Sequence, residues 1–530
     1  MKSKPLIFFY SIILLIAVKA TFSVFSQQPS ATIQQVEIFQ RFEISMENSR
    51  EYEDPFRDVE LMIELWSPDG RKLMHYGFYD GNNIWKIRFS PDKKGKWSYS
   101  ARFSDYAPGT TGAFLCIDAD KPGRVLKNES NPFWLGKSGN PKTLFRSFHV
   151  GDRFFATNWD DPLDPDDGNL RSEFLDWFQE NKYNMLSIAS HYLNRQRENR
   201  GMGWETPRLW PLDPEEYKKM ETILDYLYER DITVFPFAGF FGQEADWPTD
   251  PVEQKLYVKY TLARIGHYPN IIFSVAGPEP LLYPDLFKGA MRKEDILRLG
   301  NLIDSLDVHN HILTVHNQPQ KMRYGDIWKA EPWYTMSTFQ GPKIATDRDR
   351  LYSGLSTNRS RKKPAYAQET LWAGNKFHPE YSEDQIRKNT YIILFAGAIL
   401  NFADNDGDSS SGFSGTLDLN IRNQHLHDIV HRVWDWFETI PFHRMTSRQD
   451  LVRGGYCLAE EGKRYYVYVD TIGEVTMNLE IPFKFNYEWI NAKDPSDIRK
   501  GLSISSTTTL KTPADGDDWI LHVYAVRQEE

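Results

Sequence analysis

Two cysteines in 530 residues are too few for a disulfide framework. Cys116 and Cys457 fall in segments of different character, which leaves open one long-range bridge or, more simply, two buried thiols acting as small hydrophobes. Basic excess is missing too. With 63 Lys and Arg against 73 Asp and Glu the net charge is −10, so no cationic surplus exists to neutralise phosphates and nucleic acid is excluded as a partner. The apolar run Leu6 to Val18, broken by Ser11, stops at Lys19, short of a membrane span. Lys2 and Lys4 before it and Val24-Phe25-Ser26 after it read as a secretory signal over residues 1–26, with an uncleaved anchor as the alternative. No cysteine follows the run, so a lipid anchor is not expected. The mature chain is expected to be secreted or periplasmic and free of the membrane. No glycine-rich dinucleotide loop, internal repeat or zinc-hydrolase motif occurs. His427 and His431 share a helix face without a Glu between them, and with His309, His311 and His425 they read as helix-terminal and surface residues. No metal and no cofactor is expected.

Aromatic residues, by contrast, are abundant at 14%, with 16 Trp and 27 Tyr. Most belong in a core, but flat rings also stack on the C–H faces of sugars. Residues 33–120 predict an all-β unit. Strand-like runs at Val36–Phe39, Val59–Trp66, Ile84–Phe89 and Lys96–Phe103 alternate with turns such as Pro68-Asp69-Gly70 and Gly81-Asn82-Asn83, as in an immunoglobulin-like sandwich. From 140 to 446 strands and helices alternate. Strand candidates begin at Phe154–Thr157 and Met185–Ala189 and continue through Ile232–Phe237, Ile271–Val275, His311–His316, Tyr334–Phe339, Ala365–Ala367 and Ile399–Phe402. The helix after Asp213 carries Pro214 at its first position and Glu216 as the partner in a capping box, with Met220, Ile223, Leu224 and Leu227 on one face. Ser382 and Gln385 pose a second such box. Eight strands separated by helices fit one (β/α)₈ TIM barrel, with a doubly wound open sheet as runner-up. Residues 447–530 return to β structure as a small terminal sandwich.

The pattern Asn270-Ile271-Ile272-Phe273-Ser274-Val275-Ala276-Gly277-Pro278-Glu279-Pro280 ends an apolar strand in a carboxylate wrapped in turn residues. Lys363-Pro364-Ala365-Tyr366-Ala367-Gln368-Glu369-Thr370 repeats the design. Glycoside hydrolysis needs one carboxylic acid to protonate the leaving oxygen and one carboxylate to attack the anomeric carbon or activate water. Glutamates at the tips of strands four and seven of a barrel would face each other across its mouth. Glu279 is therefore expected as general acid/base and Glu369 as nucleophile, although either could instead cap a helix or pair with a surface Arg.

Other strand tips offer a rim able to read hydroxyl groups. It comprises Trp159 and Asp160 after strand one, His191 and Tyr192 after strand two, and His316 and Asn317 after strand five. Gln340 follows strand six, Trp372 lies beside Glu369, and Asp404, the reserve candidate for catalysis, follows strand eight. Asp404, Asp406 and Asp408 alternate as in a Ca²⁺ loop but lack a distal Glu, which favours a solvated polar loop.

These residues resemble the apiosidase-like glycoside hydrolases of carbohydrate-degrading bacteria, over nearly the whole chain. The N-terminal match runs through Phe42-Glu43, Asp54-Pro55-Phe56, Ser67-Pro68-Asp69-Gly70, Gly77-Phe78-Tyr79-Asp80, Trp85 to Pro91 and Gly95-Lys96-Trp97. It is similar to the Ig-like domain that precedes such barrels. Tyr466-Val467-Tyr468, Trp489, Pro513 and Asp518-Trp519 resemble a module named for collagen binding, which in glycosidases usually serves as a barrel accessory. Where the wider clan of retaining barrel glycosidases carries Asn before the strand-four acid, this chain has Pro278.

The resemblance implies a secreted, metal-independent glycoside hydrolase that cleaves a polysaccharide or its oligosaccharides with retention. Three other readings stay open: a barrel that binds glycans without cleaving them, a polysaccharide lyase using His191 and Tyr192, and an adhesin built on the terminal sandwiches.

Overall fold

Burial alternates strictly along Leu61–Trp66, with Leu61, Ile63 and Leu65 inward. That period of two is what a sheet with one covered face requires. In the computed structural model this segment belongs to a five-stranded sheet ordered Gln34–Glu37, Thr110–Ile117, Gly95–Phe103, Leu61–Trp66, Lys72–Tyr76. A three-stranded sheet of Phe42–Glu47, Ile84–Phe89 and Phe78–Tyr79 shares its core of Phe42, Trp85, Ile87, Phe89, Trp97 and Phe114. The tip Pro68-Asp69-Gly70 turns because Gly70 takes φ +85°, a conformation that side chains disfavour. The structure describes residues 33–121, 123–156, 167–188, 205–237, 239–241, 247–277, 291–317, 328–340, 347–357, 362–373, 381–404, 417, 419, 423–479, 484–505 and 507–525. The expected signal segment 1–26 lies outside them. Among them no helix is long and apolar enough to cross a membrane.

The central part alternates parallel strands and helices. Its strands are β1 (Ser147–Val150), β2 (Met185–Ile188), β3 (Thr233–Pro236), β4 (Ile272–Ser274), β5 (Ile312–Thr314), β6 (Ser337–Gln340), β7 (Ala365–Trp372) and β8 (Ala398–Ala403). Its helices are α1 (Asp167–Glu180), α2 (Pro214–Glu229), α3 (Pro251–Ile265), α4 (Lys293–Leu306), α5 (Arg348–Ser356), α6 (Glu383–Phe395) and α7 (Gln424–Glu438). Six strands form one partly curled parallel sheet in the order β3-β2-β1-β8-β7-β6, and β4-β5 form a separate parallel pair. Met185, Phe235, Ile272, Ile312, Tyr366 and Ile399, from β2, β3, β4, β5, β7 and β8, and Met336, just before β6, meet Phe145 in one apolar cluster. Val125 and Leu135, from a hairpin of Val125–Lys127 and Leu135–Lys137, join the same cluster. Above it Ser147 Oγ lies 2.8 Å from the Tyr366 hydroxyl and donates to Asn401 Oδ1 at 3.1 Å. These contacts fix the inward parity of β1, β7 and β8.

Strand one corrects the sequence reading. Phe154 and Phe155 sit in a short 3₁₀ turn, Asp152–Phe155, and the first strand of the sheet comes earlier at Ser147–Val150. Both Phe rings are fully buried among helix-facing apolar groups, so their hydrophobicity signals packing rather than a strand. The box expected on α2 is also open. Asp213 accepts from the Glu215 amide, but Glu216 accepts from the Arg208 backbone at 2.7 Å instead of closing on the cap. The box on α6 closes as expected, with Gln385 N to Ser382 Oγ at 3.3 Å and Ser382 N to Gln385 Oε1 at 2.9 Å.

Both flanking β units dock on the helices. Arg264 of α3 is fully buried and pairs with Glu221 of α2 at 2.5 Å and with Asp80 of the N-terminal domain at 3.0 Å. Arg88, from the same domain, reaches Glu221 at 2.8 Å. The C-terminal part forms a seven-stranded and a three-stranded sheet around Val467, Phe485, Trp489, Trp519 and Leu521. Asp518 there takes Arg387 of α6 at 2.7 Å and the Tyr468 hydroxyl at 2.6 Å, while Tyr391 stacks on Tyr468 at 4.8 Å. Cys116 and Cys457 are both buried.

Candidate active site

Strand β7 departs from regular pairing where its chemistry lies. Ala367 faces Leu400 and Leu371 faces Phe402, so β7 gains residues relative to β8 between those points. Glu369 lies in this bulge at φ +44°, an unusual conformation for a side chain larger than glycine. Such local strain persists only where surrounding contacts hold it. Here two neighbours do. His316, just beyond β5, places Nε2 3.2 Å from Glu369 Oε2, and Gln340, the last residue of β6, donates Nε2–H to the same oxygen at 2.5 Å. Glu369 is 3% exposed.

The C-terminal edge of the sheet gathers further rings around this carboxylate. Phe237, just past β3, lies between two imidazoles, 5.1 Å from His149 and 5.0 Å from His316. Trp372 packs its ring 5.2 Å from His149. His149 is on β1, two residues beyond Ser147 and so on the same inward face. Burial pushes its pKa down to about 4, against the opposing pull of Glu369, so the ring is neutral at ordinary pH. Gln368, the register partner of Gln340, is fully buried with neither amide atom hydrogen-bonded.

Of the expected site residues, Glu369, His316, Gln340 and Trp372 thus gather at one edge. Asn317 does not join them. Its amide donates to the Tyr334 hydroxyl at 3.1 Å, and its oxygen accepts from Trp328 Nε1 at 3.0 Å. Asp404 is directed elsewhere: fully buried, it takes His427 Nε2 at 2.8 Å and both the amide and the side chain of Asn423 at 2.7 Å. Those partners make it an anchor for the start of α7. The reason is parity, because Ala403 continues the inward series from Asn401 and Asp404 falls on the helix side. Glu279, Trp159, Asp160, His191 and Tyr192 lie outside the described residues, as do Asp406 and Asp408. Among the described residues no three His, Cys, Asp or Glu side chains converge as a metal site requires.

The histidines need a second correction. His309, His311, His427 and His431 are buried rather than superficial. His311 bonds Asp307 at 2.9 Å, His309 stacks on Phe89 at 5.1 Å, and the His427 Nδ1 atom lies 2.7 Å from the Tyr183 hydroxyl. The Phe89 and Tyr183 partners are far away in the chain, where a linear reading cannot see them, whereas Asp307 is a close neighbour of His311. Two residues at the site went unnoticed. His149 lies ahead of the stretch expected as strand one, and Gln368 stands in a run that looks like an ordinary core strand; the alternation of Ser147 with His149 is the signal that β1 carries polar groups inward.

A parallel sheet flanked by helices thus carries, at its C-terminal edge, a buried glutamate with positive φ beside aromatic side chains. Residues 157–401 match the family model described as apiosidase-like, catalytic domain, and residues 35–104 match a domain of unknown function, DUF5060. The chain therefore carries an apiosidase-like catalytic domain and is a glycosidase. No curated protein matches it. Among solved structures it is similar to a candidate glycoside hydrolase from Bacteroides vulgatus ATCC 8482, at 18% identity and TM-score 0.66 over 93% of this chain and 100% of that one. A glycoside hydrolase family 5 protein from the same organism is similar at 16% identity and TM-score 0.54, over 76% of this chain and 93% of that one. Another structure, named only as a glycoside hydrolase, is similar at 15% identity and TM-score 0.55, over 76% and 97% of the two chains.

Proposed function

We propose that the chain is a secreted glycoside hydrolase that cleaves a polysaccharide or its oligosaccharides with retention, Glu369 serving as nucleophile and Glu279 as general acid/base. The observation that carries this reading is the bulged, positive-φ Glu369, whose Oε2 is gripped by His316 and Gln340 at the C-terminal edge of a parallel sheet. Donors converging on one oxygen favour the ionised carboxylate and fix its direction, and a nucleophile needs both.

The finer fold reading is a closed (β/α)₈ barrel. It is supported at both thin seams. Val234 and Ile271 form a parallel bridge between β3 and β4, and the Thr335 and Met336 amides donate to the Leu313 carbonyl at 3.0 and 3.3 Å between β5 and β6. In a closed ring the tips of β4 and β7 oppose each other, where two carboxylates about 5 Å apart retain configuration. An immunoglobulin-like sandwich over 33–120 and a small sandwich over 447–530 are supported by paired sheets around one core each. Secretion rests on residues 1–26. Pro278, standing before Glu279 in place of Asn, favours glycan binding without cleavage as the second reading.

A screen of plant and algal polysaccharides and 4-nitrophenyl glycosides with wild type, Glu279→Gln and Glu369→Gln tests the assignment. Wild-type turnover that both variants lose supports it. Equal turnover by Glu369→Gln would sink the nucleophile, and saturable binding without turnover by wild type would favour the second reading.

A further inference from the structure

His149 is 1% exposed, yet neither of its ring nitrogens has a hydrogen-bond partner. Buried polar atoms are nearly always satisfied, so an orphaned pair at a reactive edge asks what completes it. Its surroundings answer in part. Phe237 and Trp372 hold the ring by its faces and edges and offer it no acceptor. The charged or titratable groups that act on it are Glu369 and His316. Because burial holds its pKa at about 4, it presents one N–H donor and one bare nitrogen acceptor across the pH range in which glycosidases work. A sugar hydroxyl is itself one donor and one acceptor and is uncharged, so it matches this ring where a carboxylate or a cation would not.

We propose that His149 is a sugar-binding residue whose imidazole takes a hydroxyl of the glycosyl unit facing Glu369. The inference deepens the glycosidase reading and rests on it. It adds a contact from β1, beside Phe237 and Trp372. The group is a binding residue, since the proton transfers of the reaction do not pass through it.

The test uses the full chain as wild type, Glu369→Gln, His149→Phe and His149→Gln. The probe is the 4-nitrophenyl glycoside that wild type turns over fastest. His149→Phe keeps the ring packing against Phe237 and Trp372 but deletes both polar atoms. The expected loss in kcat/KM is roughly ten- to thousandfold, with an unchanged thermal midpoint. His149→Gln restores a donor and an acceptor and should recover roughly tenfold of that loss. The pH profile between 5 and 8 should keep its shape in both, because a neutral group is being replaced. Calorimetric binding of the probe to Glu369→Gln should weaken when His149→Gln or His149→Phe is added.

Wild-type kcat/KM in both His149 variants would overturn the inference while leaving the role of Glu369 intact. A loss accompanied by a lowered midpoint in His149→Phe, with unchanged probe binding in the His149→Gln double variant, would also overturn it, because the residue would then be structural. Undiminished turnover by Glu369→Gln, or no turnover of any glycoside or polysaccharide by wild type, removes the glycosidase reading instead.

Discussion

His316 Nε2 lies 3.2 Å from Glu369 Oε2, across the full width of β6. Gln340, from β6 itself, fills the gap and donates to the same oxygen. Three consecutive strands therefore converge on one carboxylate atom. Rigid elements orient a reactive group better than loops do, and here the orientation is paid for by the positive φ of Glu369.

Because Glu369 already occupies a backbone region natural to glycine, Glu369→Gly is expected to fold as well as wild type. It should lose at least about a thousandfold in kcat, the cost of a missing nucleophile. Added azide should restore turnover and give a glycosyl azide, read by chromatography. Retention of wild-type kcat in the Gly variant would reject the nucleophile.

Removing either donor to Oε2 loosens the carboxylate without deleting it. Gln340→Ala and His316→Ala are each expected to lower kcat/KM by roughly ten- to a hundredfold, and the pair together less than the product of the two, since both act on one atom. A double-mutant cycle on kcat/KM measures this. Strictly multiplicative losses would show that the two do not cooperate.

Asp404 is expected to act through stability. Asp404→Ala strands His427 and the Asn423 amide, and breaking a buried pair of this kind costs about 3–5 kcal/mol. Calorimetry should show the lowered midpoint, and KM of the folded fraction should stay at the wild-type value. A raised KM with unchanged stability would return Asp404 to the substrate site.

Glu221 ties the N-terminal domain to the helices. Its side chain is buried between Arg264 and Arg88. Burial opposes the Arg264 charge, but the hydrogen bonds it donates to Glu221, together with the attraction of Glu221 and Tyr260, lift the guanidinium above its ordinary range. Glu221→Ala removes the carboxylate that two arginines share, leaving Arg264 to Asp80 and Arg88 to Glu43, and should destabilise by about 3–5 kcal/mol. Chemical denaturation should also show the N-terminal domain separating at lower denaturant. A change under about 1 kcal/mol, within the range of exposed pairs, would mean the network is solvated.

The buried histidines set an acid limit. Burial depresses His75 and His149 to about 4 and His431 to about 3. Unfolded, each titrates near 6.5, so between roughly pH 6.5 and 4 the unfolded chain binds protons that the folded chain refuses. Their contribution is fully present above the unfolded value and is lost as pH falls through this window, by about 1.4 kcal/mol per unit for each ring. Thermal midpoints at pH 7.5, 5.5 and 4.5 should fall in that order. His431→Phe, which fills the same apolar site, should flatten the slope by about one proton. A midpoint independent of pH above 4.5 would contradict the neutral assignment.

Much of the element order was legible because periodicity is local. The α2 stripe of Met220, Ile223, Leu224 and Leu227 is buried as its spacing requires, and the Ser382 box closes. The gathering of Glu369 with His316 and Gln340 was partly legible, since the sequence puts each at the tip of a strand, although β7 runs on past Glu369 to Trp372. What escaped depended on which way a strand faces. A one-residue change of phase exchanges core and helix side, so Asp404 turned to the helices, while His149 came to the site from a strand placed too late in the chain.

Chain order, the β–α alternation and the type of chemistry followed from residues acting on near neighbours, through hydrogen bonding and hydrophobic period along a few turns. Which side chains share one oxygen, which histidines stay neutral and which carboxylate merely anchors a helix were decided by tertiary packing. Strands distant in the chain reach the sheet edge only when it curls, and burial, aided by His316, sets the electrostatic cost that keeps His149 uncharged beside Glu369.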